Sequence, residues 1–178
     1  MQKRKFIAIS IALLTVSDTR DLDQDKSGDL LKQKVVGSGH KLKDRKIVTD
    51  DIRKIQKQIN TWLTQDDIDV IISTGGTGLT GRDVTPEALE EIFEKEIEGF
   101  GELFRYLSYS KIGTSTIQSR ATAGVAKGKF IFVLPGSPSA CKDAWDQILV
   151  HQLDFRHKPC NFIEIMPRLL EKGLGRKK

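Results

Sequence analysis

The chain reads as an α/β protein organised on a parallel sheet, and three observations lead there. Two apolar runs, Asp69–Ser73 and Lys129–Leu134, each pass straight into a glycine-containing loop, and each loop opens a helix. A third run, Phe6–Val16, ends in the polar turn Ser17-Asp18-Thr19, as central parallel strands commonly do. In a parallel sheet such loops leave along one carboxyl edge, the edge where ligands bind.

Taken in order, the first run carries a trap. Lys3-Arg4-Lys5 before an apolar stretch imitates a secretory signal, but Ile and Val abound and no small-x-small cleavage site follows, which favours a strand. The loop Asp18–Lys26 is polar. Ser27 offers an N-cap for a helix bearing Leu30, Leu31 and Val35, stopped by Gly37-Ser38-Gly39. Lys41–Val48 predicts a second strand whose charges suit an edge. Thr49 is expected to cap the next helix, with Asp50 and Asp51 in its first turn and Ile52, Ile55, Ile59, Trp62 and Leu63 on one face.

The stretch Val70–Glu87 dominates the chain. Four glycines within seven positions, Gly75, Gly76, Gly78 and Gly81, allow positive φ and let a ligand approach unshielded peptide N–H groups. Thr74 and Thr77 add hydroxyls. Thr85 is a candidate cap, Pro86 suits a first turn, and a helix is expected from Pro86 to Glu98. Asp83 faces the loop, and an acid beside a phosphate-binding loop makes sense if a divalent cation bridges the two. Gly76, Gly78 and Gly81 spell GxGxxG, yet the dinucleotide fingerprint needs its third glycine within a helix, which Asp83, Thr85 and Pro86 delay. A P-loop is excluded because no Gly-Lys-Ser/Thr follows.

Gly99-Phe100-Gly101 is expected to break the helix, after which Phe100, Leu103, Phe104 and Leu107 form an apolar stripe that suits core or subunit interface. Gly113–Arg120 reads as a hydroxyl-rich loop. After Lys129–Leu134, Ser137 caps a helix with Pro138 in its first turn, and Cys141, Ala144, Trp145, Ile148 and Leu149 mark its buried face.

At 178 residues the chain suits one domain, 1–178, and no run is long and apolar enough to span a bilayer. Of the formal +5, Lys3, Arg4 and Lys5 supply three charges and Arg168–Lys178 a net four, so the body between carries −2. The excess therefore sits in flexible tails at about 1–5 and 168–178, which argues against nucleic-acid binding. Cys141 and Cys160 form no CxxC, consistent with a reduced, cytoplasmic protein. His40, His151 and His157 are scattered and receive no catalytic role.

The blocks Thr74-Gly75-Gly76-Thr77-Gly78, Arg82-Asp83-Val84-Thr85-Pro86-Glu87-Ala88, Gly99-Phe100-Gly101-Glu102, Ser119-Arg120 and Leu134-Pro135-Gly136-Ser137-Pro138 together closely resemble the MoaB/MogA family of molybdenum-cofactor biosynthesis proteins. The likeness runs from Leu14 to Phe162, and Asp25-Lys26-Ser27-Gly28 with Pro159-Cys160-Asn161-Phe162 resembles the MoaB branch. The resemblance implies a three-layer α/β/α sandwich with a mostly parallel sheet, assembled as a homotrimer or homohexamer. It implies an enzyme that adenylylates molybdopterin with ATP and Mg2+ and releases pyrophosphate.

By the same resemblance, Asp83 and Asp50 are the catalytic candidates, with Asp83 the metal ligand. Thr74, Gly75, Gly76, Thr77, Gly78, Ser17, Asp18, Ser27, Gly28, Ser119, Arg120, Pro135, Gly136 and Ser137 are the candidates for binding ATP and molybdopterin. Ser137 stands where many catalytic relatives have asparagine. A non-catalytic molybdopterin-binding or assembly protein of the same fold is the alternative. The adenylylation chemistry needs alignment and charge stabilisation rather than a strong base, which agrees with the absence of a placed histidine.

Overall fold

The computed structural model describes residues 4–171. Its centre is a six-stranded sheet in the order β2-β1-β3-β6-β5-β4, built from β1 (Ser10–Val16), β2 (Lys41–Val48), β3 (Val70–Thr74), β4 (Lys95–Glu96), β5 (Thr122–Ala126) and β6 (Lys129–Leu134). The first four in that order run parallel, while β5 and β4 extend the sheet antiparallel. The sheet is thus mostly parallel, as expected.

Strand alternation sorts the core into two layers. Ile11, Leu13, Val70, Ile72, Phe130 and Phe132 face one side with Leu31, Val35 and Trp145, whereas Ala12, Leu14, Ile71, Ile131 and Val133 face the other with Ile55, Ile59 and Trp62. The helices that supply these partners are α1 (Lys26–Gly37), α2 (Ile52–Leu63) and α5 (Pro138–Ala144), which continues through a wide turn at Trp145–Leu149 into Val150–Gln152, while α4 (Glu98–Ile112) adds Phe100 and Phe104 to the first layer. Both faces of the sheet are therefore covered. Each fully buried Ile or Leu in these layers contributes roughly 1.5–3 kcal/mol. β2 lies at the sheet edge, which its charged sequence anticipated.

Several boundaries differ from the sequence expectation. α1 is capped by Asp25, whose carboxylate accepts the Gly28 N–H at 2.9 Å, so Ser27 falls inside the helix. α2 is capped by Asp51 rather than Thr49, through the Lys54 N–H at 2.9 Å. The helix opened by Pro86 is short, α3 (Thr85–Glu90), with no side-chain cap, and Thr85 lies buried inside it. Beyond it the chain leaves helical form because Glu94 N and Ile97 N donate to Val125 O and Ala123 O at 2.8 and 2.7 Å, adding β4 to the sheet. Those distant acceptors outrank the local helix propensity of the glutamate run.

Gly99 and Gly101 do not break a helix. They lie within α4, and Gly101 lets that helix back onto the Ala121 carbonyl. On the expected stripe, Phe100 and Phe104 are buried and Leu107 packs against them, whereas Leu103 is exposed. The hydroxyl-rich segment is a 3-10 turn, Gly113–Gln118. The expected basic tails fall largely outside the described residues. Within them, Arg4 pairs with Glu164 at 2.9 Å and Arg168 with Glu171 at 2.9 Å. No helix among the described residues is long and apolar enough to cross a membrane.

Candidate functional site

β3 and β6 are parallel neighbours, with Thr74 opposite Leu134, so the loops that leave them emerge side by side. Gly75 N donates to Leu134 O at 3.1 Å, and the Thr74 hydroxyl donates to Pro135 O at 2.9 Å. Gly75 has φ of +99°, and a Cβ there would overlap the Val16 carbonyl, so this corner of the floor requires glycine. The carboxyl end of β1 contributes Ser17 and Asp18, and that of β2 leads to Asp50. Four strand ends thereby converge on one rim.

A cavity of about 500 Å3 opens there, lined by Ser17, Asp18, Asp50, Gly75, Gly76, Thr77, Gly78, Asp83, Gly136 and Ser137. A second, of about 450 Å3, adjoins it and is bounded by Phe104, Ile112, Ser119 and Pro135. Thr77, Gly78, Gly136 and Ser137 belong to both and form a common floor.

Three acids overlook that floor. Asp50 Oδ1 lies 2.6 Å from the point where a side chain on Gly76 would begin, and Asp83 Oδ2 lies 2.6 Å from the corresponding point at Gly78. The Asp83 carboxylate accepts from the Thr80 hydroxyl at 2.5 Å and the Thr80 N–H at 3.0 Å. The hydroxyl bond does most to hold Asp83 below the ordinary carboxylate range, against the opposing effect of burial. Asp50 is pushed the other way, first by burial and then by the negative charges of Asp18 and Asp83.

Asp18 is held low chiefly by Arg82, whose Nε and Nη2 reach its Oδ2 at 3.0 and 2.5 Å, and its other oxygen accepts the Asp50 N–H at 3.0 Å. Among the described residues no group of three or more His, Cys, Asp or Glu side chains forms a metal cluster.

The remaining sequence candidates divide by position. The Arg120 guanidinium donates to Thr77 O at 3.3 Å and Asp83 O at 2.9 Å and pairs with Glu87, so it staples the two ends of the glycine loop together. Ser119 lines the second cavity, and its hydroxyl accepts the Ala121 N–H at 3.4 Å. The Ser17 hydroxyl accepts from Thr19 N and Arg20 N, shaping the β1 turn. The Ser137 hydroxyl caps α5 through Ala140 N at 3.2 Å.

Thr74, Ser27 and Gly28 do not line the acid-lined cavity. Thr74 is buried beneath the floor, Ser27 is equally buried and donates to Gly136 O at 2.8 Å, and Gly28 packs against Asp25 and Arg45. The Thr85 hydroxyl is buried beside Gly76 and has no hydrogen-bond partner among the described residues. Sequence reasoning assigned no role to Arg20, which lines this cavity, or to Arg82, which pairs with Asp18. The only available signal was a lone arginine among acids in Asp18–Lys26 and another directly beside Asp83.

A family model described as "Probable molybdopterin binding domain" matches residues 12–154, nearly the whole sheet and both loops. The chain belongs to the MoaB/MogA family of molybdenum cofactor biosynthesis proteins. Molybdenum cofactor biosynthesis protein B of Escherichia coli K12 is 49% identical over 158 residues, covering 89% of this chain and 93% of that protein. A crystal structure of a molybdenum cofactor biosynthesis protein B superposes with a TM-score of 0.84 at 37% identity, over 93% of this chain and 98% of the other. A tungsten cofactor synthesizing protein MoaB from Pyrococcus furiosus gives 0.76 at 32%, over 92% and 98%. The MoaB/MogA family fold is thus carried by the same α/β architecture found here.

Proposed function

We propose that this chain adenylylates molybdopterin, within the molybdenum cofactor biosynthesis to which its family belongs. The observation that carries the reading is the common floor, Thr77, Gly78, Gly136 and Ser137, shared by two adjoining cavities. A reaction that joins two phosphate-bearing molecules needs their phosphates in one place and their ring systems in two. The glycine-rich floor suits phosphates because its peptide N–H groups are unshielded, and the flanking cavities suit the rings.

In this reading a terminal phosphate oxygen of molybdopterin attacks the α-phosphorus of ATP. The new P–O–P bond forms as the α–β bond breaks, and pyrophosphate leaves with its electron pair. The chain contributes alignment and charge stabilisation: loop amides face the developing negative charge, and Arg120 holds the two ends of the loop together. Asp83, ionised, and Asp50 are the residues that would hold Mg2+, whose charge would offset the burial and the neighbouring acids that raise the Asp50 pKa.

Two carboxylates with phosphate oxygens and water are a donor set that magnesium accepts. When bound, the ion neutralises phosphate charge. The same proposal includes a homotrimer or homohexamer, for which the exposed Leu103, Tyr106 and Tyr109 of α4 and Ile117 supply apolar surface, and a cytoplasmic site of action.

Incubating purified protein with molybdopterin, ATP and magnesium should release pyrophosphate and yield the adenylylated pterin. Molybdopterin bound with no pyrophosphate formed would instead establish the binding-protein alternative, a reading that Ser137 supports because its hydroxyl is committed to capping α5.

A further inference from the structure

The loop Pro135–Ser137 is held from beneath by Thr74, Cys141 and Ser27, which do not line the acid-lined cavity, and from the cavity side by Arg20, which does. Pro135 O accepts from the Thr74 hydroxyl at 2.9 Å, with Cys141 Sγ also approaching it at 3.4 Å. Gly136 O accepts from the Ser27 hydroxyl at 2.8 Å and from Arg20 Nη1 at 3.2 Å. Ser27 and Thr74 are both 0% exposed, so neither can touch a ligand in the acid-lined cavity directly.

A trans peptide is planar, with its C=O and N–H pointing in opposite directions. A carbonyl drawn down to Thr74 therefore turns the Gly136 N–H upward, and one drawn toward Ser27 turns the Ser137 N–H upward. Both residues belong to the common floor. Among the described residues neither amide donates to a protein acceptor. The same lining carries Asp18, Asp50 and Asp83, so a phosphate entering here needs donors elsewhere in it.

We propose that Ser27 and Thr74 are positioning residues: two buried hydroxyls that orient successive peptides, so that the Gly136 and Ser137 amides act as a paired donor for a phosphate oxygen. This rests on the phosphate-binding reading above. It explains why a serine on α1 and a threonine ending β3, far apart in sequence, both spend their hydroxyls on one loop. It also gives Ser27 a role that its burial would otherwise deny it.

The test is a titration of the full chain, labelled with 15N, with inorganic pyrophosphate and magnesium, reading the amide signals of both loops beside the melting temperature of each variant. In the wild type the Gly136 and Ser137 signals should shift saturably together with those of Gly75 to Gly78. Ser27→Ala and Thr74→Val should each weaken pyrophosphate about tenfold, the size of one net hydrogen bond, the first abolishing the Ser137 response and the second that of Gly136. Thr74→Ser, which keeps the hydroxyl, should restore both the affinity and the Gly136 response.

Variants that melt earlier but bind pyrophosphate as the wild type does would overturn the positioning role. So would a wild-type response confined to Gly75–Gly78, which leaves the phosphate reading standing. No response in either loop would overturn both. If Ser27→Ala fails to fold, the Thr74 pair and the wild-type amide response decide.

Discussion

An ideal Cβ on Gly136 would stand 3.1 Å from the Cα of Gly75, so the backbones of the two site loops are in direct contact. The contact joins segments sixty residues apart and makes one surface of them. Replacing Gly136 by alanine should part the loops by a few tenths of an ångström, costing about 1 kcal/mol of stability but weakening ATP binding clearly. Gly75→Ala is harsher. With φ at +99° and Val16 O in the way, it should cost about 3 kcal/mol or more by denaturant unfolding.

Asp83→Asn keeps the shape of the side chain and removes the charge. AMP transfer should fall by more than about a hundredfold, while molybdopterin binding, measured by fluorescence, stays near wild type. Chelating magnesium should stop wild-type turnover and adding it back should restore it. Full activity in the Asn variant would refute the role given to Asp83.

The Asp25 carboxylate is buried and bonded to the Thr15 hydroxyl at 2.6 Å, Arg45 at 2.8 Å and Gly28 N at 2.9 Å. Burial alone would raise its pKa, but the Thr15, Arg45 and Gly28 bonds outweigh it and hold the group below the usual range. A depressed folded pKa stabilises the protein fully above about 3.9, the unfolded value, and the stabilisation is lost as pH falls through the folded value. Asp25→Ala leaves the Arg45 guanidinium with Asp29 at 2.6 Å as its remaining carboxylate and should cost about 1–3 kcal/mol at neutral pH. The gap between variant and wild type should narrow below about pH 4, measured by urea unfolding across pH.

Burial pushes the Cys141 thiol up to about 11, whereas Cys160 is exposed. At pH 8 an alkylating reagent should label one cysteine per native chain, Cys160, and both after denaturation. Native labelling of Cys141, read by peptide mass, would show that the floor opens.

The placement of both site loops on one rim was legible because apolar runs and glycine turns are local signals. The runs ending at Thr74 and Leu134 announce strands, and the loops after them announce helix starts. Asp83 followed from its place in the first of those loops, Asp50 from its place just past the end of β2, and both from the resemblance. What escaped were features made by partners distant in sequence.

β5 is Thr122–Ala126, too small and mixed to read as a strand until β6 pairs with it, and β4 exists only because β5 offers it carbonyls. Asp25 takes the cap from Ser27 because Arg45 and Thr15 make a buried carboxylate tolerable there. Sequence alone thus determined which segments are strands, helices and glycine turns, since backbone preference and apolar period act over a few residues. Tertiary structure decided which hydroxyls face a ligand and which hold the floor in place, because that depends on the direction in which each side chain meets a neighbour far along the chain.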